Sequence, residues 1–484
     1  MITFIKHEYW SILLILNYLL ATSAALVILL KNINPTKTIS YIIVLVVFPF
    51  LGVLVYYLFG QEYRKNKIFS RKSVSNQNIV KSISKDLKFS KSEIKRLYDY
   101  LEDKTKLVRL LYNNENSPLT LKNNVDILKN GNEKFPKLID DIRAAKQHVH
   151  LEYYIIKDDK IGTEILDLLC EKARNGVEVR LSYDDVGSSI SSKTKKLLKE
   201  SGVLFYPFMP VLFSKFTGKM NYRNHRKIAV IDGFVGYVGG INIDDEYFND
   251  AESSVYWRDT HMRIEGEAVK ALQFHFLTTW DFVSNTTLKI NRSYFPEVHY
   301  NRNVAIQIAA SGPDTDWANI MEVIFTAIST AKDYVYITTP YFVPNDEIIM
   351  ALQVAAKSGI DVKLIIPKES DSWLVKHATN SYLEKLLEAN IKVYRYTKGF
   401  IHAKTIVIDD IFSTVGTSNM DYRSFNINFE INAFMYNIET SKVLKQQFLE
   451  DLNFSEIIEH ERWLNRPNLE KLKESYSRLW SPLI

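Results

Sequence analysis

The stretches Asn224-His225-Arg226-Lys227-Ile228-Ala229-Val230-Ile231-Asp232 and Ile401-His402-Ala403-Lys404-Thr405-Ile406-Val407-Ile408-Asp409 decide how this chain is read. Both follow the pattern H-x-K-x4-D. Six further residues on, each reaches a glycine and then an asparagine, in Gly239-Gly240-Ile241-Asn242 and Gly416-Thr417-Ser418-Asn419. One copy would carry little weight; two copies in matched surroundings mark a duplication. The apolar run that follows each histidine predicts a strand, in which residues i and i+2 share a face. His225 then stands beside Lys227, and His402 beside Lys404. An imidazole next to an ammonium suits a phosphate. The lysine stabilises charge on non-bridging oxygens, and the imidazole attacks phosphorus or protonates a leaving oxygen. Two such pairs facing each other supply a nucleophile and an acid, and demand neither a metal nor another cofactor.

The duplication extends outward from the motifs. Val149–Ile156 and Val335–Phe342 both read as strands rich in β-branched and aromatic residues. A helical stretch follows each and stops at Gly176 or Gly359. Val177–Tyr183 and Ile360–Ile366 are the next strands, and the helical stretches Lys193–Glu200 and Tyr382–Ala389 follow. Equivalent elements lie 183 to 189 residues apart, far too long for a solenoid repeat. The expected fold class is therefore α/β, with two similar domains of mixed sheets flanked by helices, related by a pseudo-two-fold, and a site where they meet.

The first 60 residues differ in kind. Ser11–Leu30 and Ile39–Phe59 are uncharged runs of 20 and 21 residues, each long enough to span a bilayer. A cleaved signal would have a shorter apolar core of about 7–15 residues. Lys and Arg cluster after the second run, at Arg64, Lys65, Lys67, Arg71 and Lys72. Positive residues stay inside, so the expectation is a two-helix transmembrane hairpin with both ends, and the large remaining part, in the cytoplasm. The net charge is only +5, but residues 61–110 hold 14 Lys+Arg against 6 Asp+Glu. That block reads as a helical linker lying against anionic membrane lipids, not as a nucleic-acid site. The expected division is 1–60 hairpin, 61–120 basic linker, 121–295 first domain and 296–484 second domain. Cys170 is the only cysteine, so a disulfide framework and cysteine-based zinc sites are excluded. Its apolar surroundings predict a buried helix face.

With these residues in view the chain resembles the phospholipase D superfamily, whose signature is the duplicated HKD motif, and within it the bacterial cardiolipin synthases. NYRNHRKIAVIDG, GGINIDDEY, YWRDTH, TPYFVPND, FIHAKTIVID, GTSNMDYRSFNINFE and the terminal RLWSPLI carry the likeness. It covers nearly the whole chain except about residues 61–120. The resemblance implies a transferase that joins two phosphatidylglycerol molecules into cardiolipin and releases glycerol through a phosphohistidine intermediate. It implies His225 as nucleophile and His402 as acid and base, with Lys227 and Lys404 holding the phosphate. It further implies that Asp232 and Asp409 orient or balance the opposite histidine, and that Asn242 and Asn419 line the phosphate pocket. Glu430 would hydrogen-bond a catalytic histidine and fix its tautomer.

Smaller signals have two readings each. Arg258, in YWRDTH, contacts a phosphate or headgroup, or else pairs with Asp259 to support the motif strand. Val203–Phe216 carries one charge, Lys215, and is either an ordinary strand and loop or a segment that dips into the membrane interface. His377, in a helical stretch, either sits near the pocket or is a surface histidine. Competing functions are a membrane phospholipase D that uses water as acceptor, and a nuclease of the same superfamily, which the two spans disfavour.

Overall fold

The structure, a computed structural model, describes residues 2–30, 35–48, 50, 52, 101, 104–115, 117–209, 222–250, 255–284, 291–297 and 303–481. The chain divides into two units, Met1–Tyr63 with Leu212–Asn221, and Arg64–Val211 with Tyr222–Ile484.

In the first unit Ser11–Leu30 forms the apolar part of a helix running Ile2–Leu30, long and apolar enough to cross a membrane. A second helix, Pro35–Val47, packs against it through Ala21, Ile28 and Leu45. Asn17, buried in this pair, accepts a hydrogen bond from the Phe50 N–H at 2.8 Å. The rest of the expected second span lies largely outside the described residues, as do most of the basic linker and the end of Val203–Phe216.

The second unit holds two large sheets that match strand for strand. The first runs in the order Leu204–Phe208, Glu178–Asp184, His148–Tyr153, Ile228–Ile231, Val235–Gly239, Thr260–Gly266, Asn123–Lys129. The second runs Lys392–Tyr396, Asp361–Pro367, Tyr334–Thr338, Thr405–Ile408, Phe412–Gly416, Glu430–Tyr436, Ala305–Ser311, with Ser455–Ile457 added outside Lys392–Tyr396. In each, three strands are parallel, joined by helical crossovers, and the rest are antiparallel. The crossover helices stop where glycines take left-handed backbone, Gly176 at φ +87° and Gly359 at φ +93°.

Period-two alternation explains how the sheets are covered. Ile228 and Val230 enter a core shared with Ile308, Val407 and Ile431 of the second half. Ala229 and Ile231, on the other face, pack under the first half's own helices. Ile406 and Ile408 do the same in the second half. Each sheet thus buries one face on helices and contributes from the other to a core common to both halves. Cys170 is buried, as its neighbours predicted.

Candidate active site

The strand of each motif is only four residues long, Ile228–Ile231 and Thr405–Ile408. The histidine and lysine precede it, in segments that pair with the opposite half. The His225 N–H donates to the Phe429 carbonyl at 3.0 Å, and the Phe429 N–H to the Arg223 carbonyl at 2.9 Å. Symmetrically, Gly399–Ile401 lies parallel to Tyr256–Arg258, and the His402 N–H donates to the Arg258 carbonyl at 2.7 Å. The residue after each carbonyl that receives a histidine N–H is an acid. His225 Nδ1 meets Glu430 Oε2 at 3.0 Å, and His402 Nδ1 meets Asp259 Oδ2 at 2.7 Å. Each histidine is therefore held by a carboxylate of the other half. A carboxylate accepting from Nδ1–H leaves Nε2 with its lone pair free for chemistry.

The acids are themselves fixed. Thr417 Oγ1 donates to Glu430 at 2.5 Å and Asn428 reaches its other oxygen at 3.4 Å. The Thr260 N–H donates to Asp259 at 2.7 Å. Gly240 has to be glycine because a Cβ there would lie 2.2 Å from the Asp259 carboxylate. Lys227 and Lys404 are buried and reach back to the carbonyls of His225 (2.7 Å) and His402 (2.5 Å). Tyr154 stands edge-on to His225, with ring centres 5.0 Å apart, and Tyr247 and Trp257 flank His402.

Burial sets the electrostatics. It depresses Lys227 to about 7, against the pull of Glu430 and with help from Lys404. It depresses Lys404 to about 8, against Asp259 and Glu430. Burial and then the neighbouring Lys404 bring His402 to about 3, and burial also lowers His225. Burial pushes Glu430 up, but His225, Lys227 and Thr417 outweigh it and hold it below the usual range. Lys404 acts on His225 and Lys227 on His402, so both motifs belong to one site. Two lysines and two carboxylates thus meet in one buried cluster whose imidazoles are neutral at pH 7.

Three expectations need correction. Asp232 and Asp409 touch neither histidine. A four-residue strand, about 14 Å long at ~3.4 Å per residue, carries each to its far end. There, at φ +52° and +55°, each cradles the start of a neighbouring strand. Asp232 accepts from the N–H groups of Lys146, Gln147 and His148 at 2.7–2.8 Å. Asp409 accepts from Lys332, Asp333 and Tyr334 at 2.9–3.2 Å, and from Lys104 at 3.1 Å. Asp232→Asn is thus expected to lower the unfolding temperature by several degrees, from weakened charge-assisted bonds, while kcat stays within about threefold. Thermal unfolding and turnover on one preparation check this.

Arg258 is also structural. Its guanidinium donates to Asp451, to the Asp259 carbonyl, to Thr260 and to Gln447, which uses all its N–H groups. It pairs with Asp451, not with the Asp259 side chain, and has nothing left for a phosphate. His377 is buried against Trp373 instead of exposed. Asn242 is buried beside the site, donating to Tyr247 Oη at 2.7 Å and accepting from the Ile155 N–H at 3.2 Å. Asn419 is buried next to Met420, and its Oδ1 has no partner among the described residues.

The residue that sequence reasoning missed is Asp259. Strand pairing reveals its equivalence to Glu430: Gly239 faces His261 as Gly416 faces Asn432, and the acid lies two residues before each partner. The signal was present in the duplication, but 17 residues separate Asn242 from Asp259 and 11 separate Asn419 from Glu430. The unequal loops hide the correspondence.

Comparison with known proteins gives the family. Residues 138–280 and 324–452 match the family described as cardiolipin synthase, PLD-like domain. Residues 19–61 match the phospholipase D-nuclease N-terminal family. The chain belongs to the phospholipase D-like cardiolipin synthase family. It is 41% identical to a cardiolipin synthase of Halalkalibacterium halodurans, over 95% of this chain and 91% of that one. It is 40% identical to the major cardiolipin synthase ClsA of Bacillus subtilis, over 98% of this chain and 99% of that one. Among solved structures, phosphatidylserine synthase of Haemophilus influenzae has the same fold, with a TM-score of 0.61 at 15% identity over 78% of this chain and all of that one.

Proposed function

We propose that this protein makes cardiolipin by moving the phosphatidyl group of one phosphatidylglycerol onto the glycerol headgroup of a second, with release of glycerol. The observation that carries the reading is the reciprocal pair, His225 on Glu430 and His402 on Asp259, around two buried lysines, in a chain about 40% identical to cardiolipin synthases along nearly its whole length.

A neutral nucleophile, His225, and an acid, His402, that takes up a proton on Nε2 as the substrate binds suit a two-step exchange. His225 Nε2 attacks phosphorus, the P–N bond forms, and the P–O bond to glycerol breaks. His402 delivers the proton the leaving oxygen takes up. In the second step His402 takes the proton of the incoming glycerol hydroxyl, whose oxygen displaces His225 from phosphorus. One phosphodiester replaces another, so no energy source is consumed. Burial and then Lys404 hold His402 far below neutrality; the anionic phosphodiester, arriving between two lysines, raises its proton affinity when the acid is needed. Lys227 and Lys404 stabilise the charge that builds on the non-bridging oxygens. Asn242 and Asn419 shape the pocket from behind.

The same reading assigns residues 121–295 and 296–484 to two phospholipase D-like domains, each supplying the other's acid, so neither half is active alone. It assigns 1–60 to a transmembrane hairpin of a bacterial plasma membrane with the catalytic domains in the cytoplasm, and the basic segment at 61–120 to anionic lipid headgroups. The cluster of Lys and Arg beyond the second apolar run supports that orientation.

The test is product identity. Purified protein in liposomes of phosphatidylglycerol alone is expected to yield cardiolipin and glycerol in equal amounts by mass spectrometry. Phosphatidic acid with glycerol, and no cardiolipin, would make the protein a hydrolase and overturn the proposal.

A further inference from the structure

The C-terminal helix Asn468–Arg478 is built inside out. The side chains it buries are polar, Glu474 and Ser477, with Ser481 just beyond. The side chains it exposes are apolar: Leu469 at 63%, Leu472 at 65%, Tyr476 at 52%, and after the last turn Leu479 at 76% and Trp480 at 40%. Their spacing, i, i+3, i+7, i+10 and i+11, makes one stripe along the helix.

The polar inner face explains how such a helix stays attached. Arg466 donates to Glu474 at 2.8–3.2 Å and to Glu384 at 3.1 Å on the helix Trp373–Glu388. Arg478 lies over the Tyr382 ring of that same helix at 5.1 Å. Ion pairs and a cation–π contact fasten the helix, and its apolar residues take no part.

We infer that this stripe seats the second catalytic domain on a bilayer surface containing anionic lipid, and the inference rests on the lipid substrate proposed above. Two observations choose the occupant. The stripe presents roughly 500 Å² of apolar surface by ordinary side-chain sizes, short of the ~800 Å² per partner that a stable protein interface needs. Its charges also favour anionic headgroups. Of the helix's five charged residues, Glu474 is buried on Arg466 and Glu470 pairs with Lys473 at 2.6 Å, while Lys471 and Arg478, the latter over the Tyr382 ring, meet no acid among the described residues. Leucines on one face, Trp and Tyr at one end and basic residues at the flank are the make-up of a helix lying in the membrane interface.

The full chain carrying Leu472→Cys, labelled with an environment-sensitive fluorophore and reconstituted in phosphatidylglycerol vesicles, tests this. Cys170 is buried and does not compete for the label. Nitroxides on the lipid acyl chains are expected to quench the label at 472 at least twofold, and iodide to reach it poorly. A label at Lys196→Cys on the exposed face of Ser192–Glu200 is expected to behave the opposite way. Equal iodide access at both positions overturns the proposal. So does concentration-dependent energy transfer between labelled copies without lipid quenching, which would make the occupant a second molecule. In parallel, Leu469→Glu with Leu472→Glu is expected to cut turnover of vesicle substrate about tenfold and leave turnover of dissolved short-chain phosphatidylglycerol unchanged. Equal loss on both substrates overturns it as well. Quenching requires no turnover, so it reads this surface whatever the product assay returns.

Discussion

His225→Ala and His402→Ala are each expected to reduce cardiolipin formation from phosphatidylglycerol vesicles by at least about 10⁴-fold, the combined scale of losing a nucleophile or an acid–base group. The sharper expectation concerns the acids behind them. Asp259→Asn leaves His402 in place, yet an amide can donate to Nδ1 and so turn the ring to the tautomer with its proton on Nε2. A comparable change at an imidazole-orienting carboxylate costs about 10⁴ in kcat. We expect a loss of about 10³–10⁴ for Asp259→Asn and for Glu430→Gln, with each protein still folded. The effects are expected not to add: His402→Ala with Asp259→Asn is no slower than His402→Ala alone, because the acid acts only through the ring it orients. Initial rates by lipid mass spectrometry, with circular dichroism as the folding control, measure all of this. An Asp259→Asn enzyme within threefold of wild type would remove Asp259 from the site and return the question to Asp232 and Asp409.

The contrast between these acids shows where sequence reading works and where it stops. The duplicated motif, the glycines that end the crossover helices and the succession of strands and helices in the two halves were legible because they depend on neighbours in the chain. Backbone conformation and period-two burial are local properties. Glu430 was legible as a partner for a catalytic histidine. Asp232 and Asp409 were misread because H-x-K-x4-D records spacing and not direction: a strand carries its last residue away from its first. Asp259 stayed hidden because its link to His402 runs through the pairing of Ile401 with Arg258, 143 residues apart. Arg258 looked available for a phosphate because its real partner, Asp451, lies 193 residues away in sequence. Helix 468–478 has an ordinary amphipathic pattern, and periodicity alone assigns its leucines to the core. Only the Arg466–Glu474 network reveals that the polar side faces in.

Lys227→Met is expected to destroy activity and stabilise the fold at once. Lys227 is fully buried, and burial holds its pKa at about 7 against 10.5 for an exposed lysine. A folded-state pKa below the unfolded one means that folding opposes the charged form. At or below pH 7 both states carry the proton and the penalty is complete. Between pH 7 and about 10.5 the folded protein sheds its proton while the unfolded chain keeps it, and the penalty fades. Above that range it vanishes. A pKa that differs by one between the folded and unfolded chain is worth about 1.4 kcal/mol. A methionine of similar length forfeits the bond to the His225 carbonyl, yet is expected to raise the unfolding temperature by a few degrees at pH 7. The gain shrinks as pH rises toward 10.5. Turnover should fall about 10³-fold, because Lys404 is then the one ammonium left to face the phosphate oxygens as charge builds on them. A charge kept against the interest of the fold is what a phosphate site requires. Scanning calorimetry in detergent from pH 6 to 10, beside turnover in vesicles, separates the two effects. An unfolding temperature that drops at every pH with turnover unchanged would make Lys227 a structural residue and sink the assignment.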